Sequence, residues 1–278
     1  MIANEDFPAS GPGGADRSRA GNRSVGDLGT SALLTRLPEA LLWQLTVSGT
    51  TVLTPSMRRI SFAAPNLSDF RYDPGQDLMF AIPASDGRTF RRRYTIRQLD
   101  VAEGRLDVDF VLHGDGPGAR WVEGAAPGDR VEAIGPRGKV LVDRAAGWHL
   151  FLGDESALPV TAAMIESLDS GARALALIEV DVPDDELAVS GRAGVEVDVH
   201  WLHRGRTAAG KSTVLADELA TLTLPDGRGH AYVNGEMKTV NGLRATLVGR
   251  GMDADAVSSK PYWRHGVANA AHGEPGRD

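Results

Sequence analysis

Two kinds of hydrophobic pattern divide the chain. From Leu42 to about Asp143, apolar residues fall in short runs that alternate with polar ones: WQLTVSGTTV, RRISFAA, DLMFAIPA, RRRYTIRQL, GRLDVDFVLH and DRVEAIG. Stretches rich in Gly and Pro, such as NLSDFRYDPGQD and APGD, separate them. A period of two puts successive side chains on opposite faces of a strand. Short strands at regular spacing with turn signals predict an antiparallel barrel or sandwich. From Gly147 onward the texture changes. WHLFLGD, RALALIEVD, VEVDVHWLH and HAYVNGE read as apolar strands, and SALPVTAAMIESL, STVLADELATL and MKTVNGLRATLVGRG read as helices between or after them. Strands alternating with helices predict a parallel sheet covered on both faces.

The fold class expected is therefore β followed by α/β. The 278 residues suffice for two modest domains. The expected layout is a disordered extension over 1–40, a barrel over 41–145, an α/β domain over 146–266 and a flexible tail over 267–278. Residues 1–30 are rich in Gly, Ser, Asn, Arg and Asp and lack any apolar period, while SALLTRLPEALL over 31–42 reads as one short amphipathic helical turn.

Composition narrows the chemistry. Cysteine is absent, which removes disulfides, thiolate nucleophiles and cysteine-ligated iron–sulfur clusters. Redox work would need a bound organic cofactor or a metal held by N and O ligands. A net charge of -7 argues against a nucleic-acid partner. No apolar run reaches membrane-spanning length, and the acidic start MIANEDFPAS lacks the apolar core of a secretory signal, so a cytoplasmic protein is expected. A monomer or weak dimer is the expected state.

Six motifs stand out. Arg92-Arg93-Tyr94-Thr95-Ile96-Arg97 lies inside a predicted strand. Alternation puts Arg92, Tyr94 and Ile96 on one face and Arg93, Thr95 and Arg97 on the other. A guanidinium for phosphate, a ring for stacking and a hydroxyl for a ring nitrogen suit a flavin nucleotide, although a solvated basic edge would look similar. His113-Gly114-Asp115-Gly116-Pro117-Gly118-Ala119-Arg120-Trp121 runs from a strand through a glycine-rich turn into a short helix near Pro117. Such a helix start suits a pyrophosphate, and a plain strand connection is the alternative. Gly153-Asp154-Glu155-Ser156-Ala157-Leu158-Pro159 follows the first α/β strand, where a doubly wound sheet binds a dinucleotide. Ser156 is there the expected helix cap. Asn234-Gly235-Glu236 ends a later strand of the same sheet. Gly205-Arg206-Thr207-Ala208-Ala209-Gly210-Lys211-Ser212 matches GxxxxGK[ST], yet it follows the third strand of its domain and no strand ending in a magnesium-binding Asp comes after it. Lys260-Pro261-Tyr262-Trp263-Arg264-His265-Gly266 reads either as an aromatic clasp for the chain end or as a cationic patch for an anionic ligand.

Taken in order, these motifs with PGDRV, IEV, WLHR and YWRHG resemble the siderophore-interacting proteins, flavin-dependent ferric-siderophore reductases of the ferredoxin-reductase superfamily. The resemblance covers roughly Trp43 to Gly266. It implies FAD on the barrel and NADH or NADPH on the α/β domain. Arg92 would hold FAD phosphate, Tyr94 would stack on the isoalloxazine, and Thr95 would hydrogen-bond near N5. His113, Gly116 and Pro117 would surround the pyrophosphate, and Arg93, Ile96, Arg97, Gly118 and Trp121 are further candidates for cofactor binding. Gly153, Asp154, Glu155, Ser156, Gly235 and Glu236 would frame the nicotinamide nucleotide. The GxxxxGKS stretch becomes a fortuitous match. Relatives often carry Ala-Ser or Ala-Thr where this chain has Gly118-Ala119, so one hydroxyl that could cap the helix is missing.

The implied reaction reduces chelated Fe(III) to Fe(II), which hard oxygen ligands hold far less tightly. Arg58, Arg59, Lys260, Trp263 and Arg264 are the candidates for docking an anionic ferric siderophore. Glu179 ends the second α/β strand, where an acid receives ribose hydroxyls and repels a 2′-phosphate, which leans the reading toward NADH. A general flavin reductase with another acceptor and a non-catalytic siderophore binder are the alternatives.

Overall fold

The computed structural model describes residues 42–84, 87–112 and 116–267. The expected N-terminal extension and all but the first residue of the expected tail lie outside them. Six strands form the first half: β1 (Leu42–Thr54), β2 (Met57–Ala63), β3 (Asp77–Pro83), β4 (Thr89–Asp100), β5 (Arg105–Val111) and β6 (Arg130–Arg137). They close into an antiparallel barrel in the order β1-β2-β5-β4-β3-β6. Closure decides between the barrel and the sandwich, and β1 achieves it. Its first half pairs with β6 and its second half with β2, with register shifts after Val47 and Val52. Such irregularities bend a strand, which a closed sheet needs. Alternate residues point inward, so Leu45, Ile60, Phe62, Phe80, Ile96, Val108 and Phe110 fill the interior. Helix α1 (Pro117–Gly124) joins β5 to β6.

The second half contains β7 (Trp148–Asp154), α2 (Leu158–Glu166), β8 (Arg173–Val180), β9 (Glu196–His203), α3 (Val214–Thr221), β10 (Gly229–Glu236), α4 (Met237–Gly249) and β11 (Val257–Trp263). The sheet is parallel, in the order β11-β10-β7-β8-β9. Every residue of β7 and β10 is buried, as expected of central strands covered on both faces. Strand β11 was not foreseen from the sequence. Pro261 lies in β11, an edge strand, where proline is tolerated because the N–H groups on the outer side have no ladder partner to lose.

Barrel and sheet belong to one compact unit. The outer faces of β3 and β4 meet the sheet through charge. Asp77 accepts from Arg93 Nε at 2.8 Å and from Lys260 Nζ of β11. Arg97 grips Glu166 of α2 with both terminal nitrogens, at 2.7 and 2.5 Å. Met57 of the barrel packs into the apolar layer of β7, β8 and α2, with Leu53 and Val111 against it.

Candidate functional site

On the inner face of β4, Tyr94 packs against the barrel core, with its ring centroid 4.2 Å from Phe110 and 5.9 Å from Phe80. Burial pushes its phenol up to about 12, so the hydroxyl stays a donor. Helix α1 lies directly beside it. A Cβ on Gly118 would fall 2.5 Å from the Tyr94 hydroxyl and 3.8 Å from Arg92 Cγ. The helix start, 22 or more residues beyond Arg92 and Tyr94 in sequence, is therefore their neighbour. The cap position, Gly116, offers no side chain to the first turn of α1, and Pro117 follows it. Among the described residues no side chain accepts from the first N–H groups of α1, which suits an anion. At the other end, Arg58 donates to the carbonyls of Val122 and Glu123, at 3.1 and 2.9 Å. Trp121 on α1 packs 6.0 Å from Phe110. His113 lies outside the described residues.

The opposite face of β4 differs from the expectation. Arg93 and Arg97 are committed to Asp77 and Glu166, so their charges hold the barrel to the sheet. Thr95 is buried and lies beside the Tyr262 phenol of β11, whose proton affinity burial raises. The docking candidates differ as well. Arg59 forms a two-point pair with Asp109, at 2.6 and 2.9 Å. Lys260, 8% exposed, is paired with Asp77 inside the protein. Trp263 donates its indole N–H to Asp154 at 2.9 Å. Arg264 is the exposed member of the five. No local pattern marked Asp77 as the partner of Lys260, because 183 positions separate them.

At the carboxyl ends of the parallel strands the acids satisfy their own chain. Asp154 Oδ1 accepts from the backbone and hydroxyl of Ser156, and Oδ2 accepts from the backbone of Glu236 at 2.9 Å. The helix-opening turn is thus capped by Asp154, not by Ser156, since its carboxylate reaches the N–H two residues on. Gly153 and Gly235 leave room for this packing. A Cβ on Gly153 would meet Asn234 O at 2.5 Å, and one on Gly235 would meet Asp154 Oδ2 at 2.6 Å. Glu155 holds Arg204 at 2.7 and 2.8 Å. Glu236 caps α4 through the N–H groups of Lys238 and Thr239 and accepts from His265 N. Glu179 is buried, and that burial pushes it up to about 7 despite help from Ser212 and Arg204.

The loop Gly205–Ser212 lies across this crest. Ala209 O accepts from His265 Nδ1 at 3.1 Å, and a Cβ on Gly210 would meet Glu236 Cγ at 2.8 Å and Trp263 at 3.1 Å. Ser212 reaches Glu179. The loop is tied down as a strap over the ends of β8, β10 and β11. Two cavities of about 210 and 240 Å³ lie elsewhere, at the amino ends of β7 and β8, lined by residues such as Arg144, His149 and Asp169 or Trp148, Arg173 and His200.

Comparison with known proteins follows this division of the chain. Residues 75–140 match the siderophore-interacting FAD-binding domain, and residues 146–266 match the siderophore-interacting protein domain. A siderophore utilization protein from T. fusca superposes with a TM-score of 0.75 at 30% identity, covering 83% of this chain and 95% of that one. The chain belongs to the siderophore-interacting protein family. Within the family it is 34% identical over 187 residues to the ferric vibriobactin reductase ViuB of Vibrio cholerae, covering 66% of this chain and 68% of that one. An uncharacterised Mycobacterium tuberculosis protein is 39% identical over 186 residues, 63% of this chain; the match spans 65% of that relative's length. The barrel suits the family's flavin dinucleotide: Arg92 and Tyr94 adjoin a helix start that has no side-chain cap among the described residues, and only a glycine at 118 fits against the Tyr94 hydroxyl.

Proposed function

We propose that this siderophore-interacting protein is an NAD(P)H-dependent ferric-siderophore reductase that works through bound FAD. The juxtaposition of Arg92, Tyr94 and the start of α1 carries the reading. Arg92 would pair with phosphate, the first-turn N–H groups of α1 would receive the pyrophosphate, and Tyr94 would offer its ring face and hydroxyl. Thr95, beside Tyr262, would bond near N5. Bound flavin would supply the exchange between a two-electron donor and a one-electron acceptor. Nothing in the reaction needs a nucleophile, in keeping with a chain that has no cysteine. Reduction to Fe(II) weakens the hold of hard oxygen donors and releases the metal. The name of the Vibrio cholerae relative points the same way.

Among the docking candidates, Arg264 is the one we retain for an anionic chelate, because the other four are engaged or enclosed. That shortage of free cation also favours a second reading, a flavin reductase with a different acceptor. We read the electron donor as NADH. A Glu179 pushed toward neutrality repels a 2′-phosphate weakly, but Asp181, with its side chain 47% exposed beside Arg204, stands at the same strand end. We place the reaction in the cytoplasm, where that donor is found.

The visible spectrum of the FAD-loaded protein tests this. Flavin bands should bleach anaerobically with NADH faster than with NADPH and return on adding a ferric siderophore, with Fe(II) trapped by a ferrous chelator. Arg92→Ala and Tyr94→Ala should each lose FAD. Tight FAD uptake by the double variant would end the reading, and recovery with quinone but not with ferric chelate would favour the second.

A further inference from the structure

The sheet reverses direction between β7 and β10: the chain runs outward from β7 to β8 and β9 on one side, then to β10 and β11 on the other. A ligand of an open parallel sheet docks at that reversal, outside the carboxyl ends of the strands. Asp154, Glu155 and Glu236 are all engaged there by the chain itself. Among the described residues two buried polar atoms there have no hydrogen-bond partner: Arg204 Nε, which lies 3.8 Å from Asp181 Oδ1, and the amide oxygen of Asn234. Asn234 is 3% exposed, and no donor among the described residues reaches its oxygen. A buried acceptor left unpaired costs stability, so its persistence calls for an explanation.

Its position supplies one. Asn234 pairs with Gly153 on one side, which has no side chain, and with Lys260 on the other. Lys260 reaches from that face to Asp77 of the barrel, and Tyr232, two residues before Asn234, packs with Met57 of the barrel. Asn234 therefore faces the seam between barrel and sheet, one strand away from the Tyr262–Thr95 contact. A ligand that satisfies it must bring an N–H donor and be flat enough to enter that seam.

We propose that the Asn234 amide oxygen accepts an N–H of the nicotinamide carboxamide and so sets the position of the ring. The inference rests on the reading of a nicotinamide nucleotide as electron donor. Asn234 is then a reader of the primary amide, and the unpaired acceptor is the stability given up for it.

The test uses the full FAD-loaded chain, Asn234→Leu and Asn234→Ala. The probes are the oxidised nucleotide of whichever of NADH and NADPH bleaches the flavin, and its 3-acetylpyridine analogue, in which a methyl ketone replaces the primary amide. Binding is read by titration. The native protein should favour the amide by about tenfold, the ratio expected for one hydrogen bond to a buried acceptor. Both variants should fall to about twofold or less, with FAD content unchanged. Asn234→Leu should also melt at the same or a higher temperature, because the unsatisfied group is gone. An undiminished preference in both variants overturns the inference, as does loss of FAD in place of loss of nucleotide selectivity. FAD-loaded native protein that neither nucleotide reduces refutes the donor reading itself, and the inference with it.

Discussion

Replacing Asp77 by Asn probes how the barrel is held to the sheet. Asp77 is the single carboxylate between two cations, Arg93 of β4 and Lys260 of β11. The three side chains are 5%, 16% and 10% exposed, so water cannot take over if the acid goes. Removing one partner of a buried pair costs about 3 to 5 kcal/mol, because the desolvation of the remaining charges is no longer offset. For a chain of this size that amounts to a fall in Tm of about 6 to 20 °C. Arg144–Asp169 serves as the control: its side chains are 57% and 71% exposed, and Asp169→Asn should cost about 1 kcal/mol or less. Urea unfolding of both variants measures the difference. Adding Lys260→Met to Asp77→Asn removes one stranded cation and should recover about 1 to 3 kcal/mol. If Asp77→Asn costs no more than Asp169→Asn, the triad is hydrated and does not fasten the two halves.

Gly118→Ala would place a methyl 2.5 Å from the Tyr94 hydroxyl, and Phe110 behind the ring limits its retreat. The variant should lose about 1 to 3 kcal/mol of stability by overpacking, read by urea unfolding, and normal stability would show that the phenol moves freely. His149 and His230 are paired across β7 and β10, 2% and 7% exposed, facing Tyr232, Asp143, Arg228 and Ser258. Burial holds both below the ordinary histidine value of 6.5, with their mutual repulsion adding for His149 and Asp143 partly opposing for both. The unfolded chain therefore binds more protons near that pH, and stability should be full above it and fall as pH drops through 6.5 toward the folded values. Urea midpoints at pH 7.5 and 5.5 should show this fall, and His149→Phe with His230→Gln should flatten it; an equal slope in that variant would assign the fall to other groups.

What could be read from the chain was what depends on near neighbours. Period-two runs placed the six barrel strands, continuous apolar runs placed β7 and β10, and glycine-punctuated turns marked where α1 begins. Strand β11 escaped because VSSKPYW is short, carries Pro and Lys, and is a strand only by virtue of pairing with β10. The motif Arg92–Arg97 named a flavin grip, but two of its three charges, Arg93 and Arg97, fasten the barrel to the sheet. Alternation told which residues share a face; it could not tell what the second face would meet.

The sequence by itself determined the two-part architecture, the absence of thiol chemistry and the residue types available for a flavin dinucleotide, since periodicity and composition are local properties. Only the tertiary structure decided that Lys260 belongs to Asp77, that the GxxxxGKS loop is a strap, and that Asn234 is left unpaired at the seam. Those outcomes depend on charges and backbones brought together from distant parts of the chain, where burial makes an ion pair obligatory and an unmatched acceptor conspicuous.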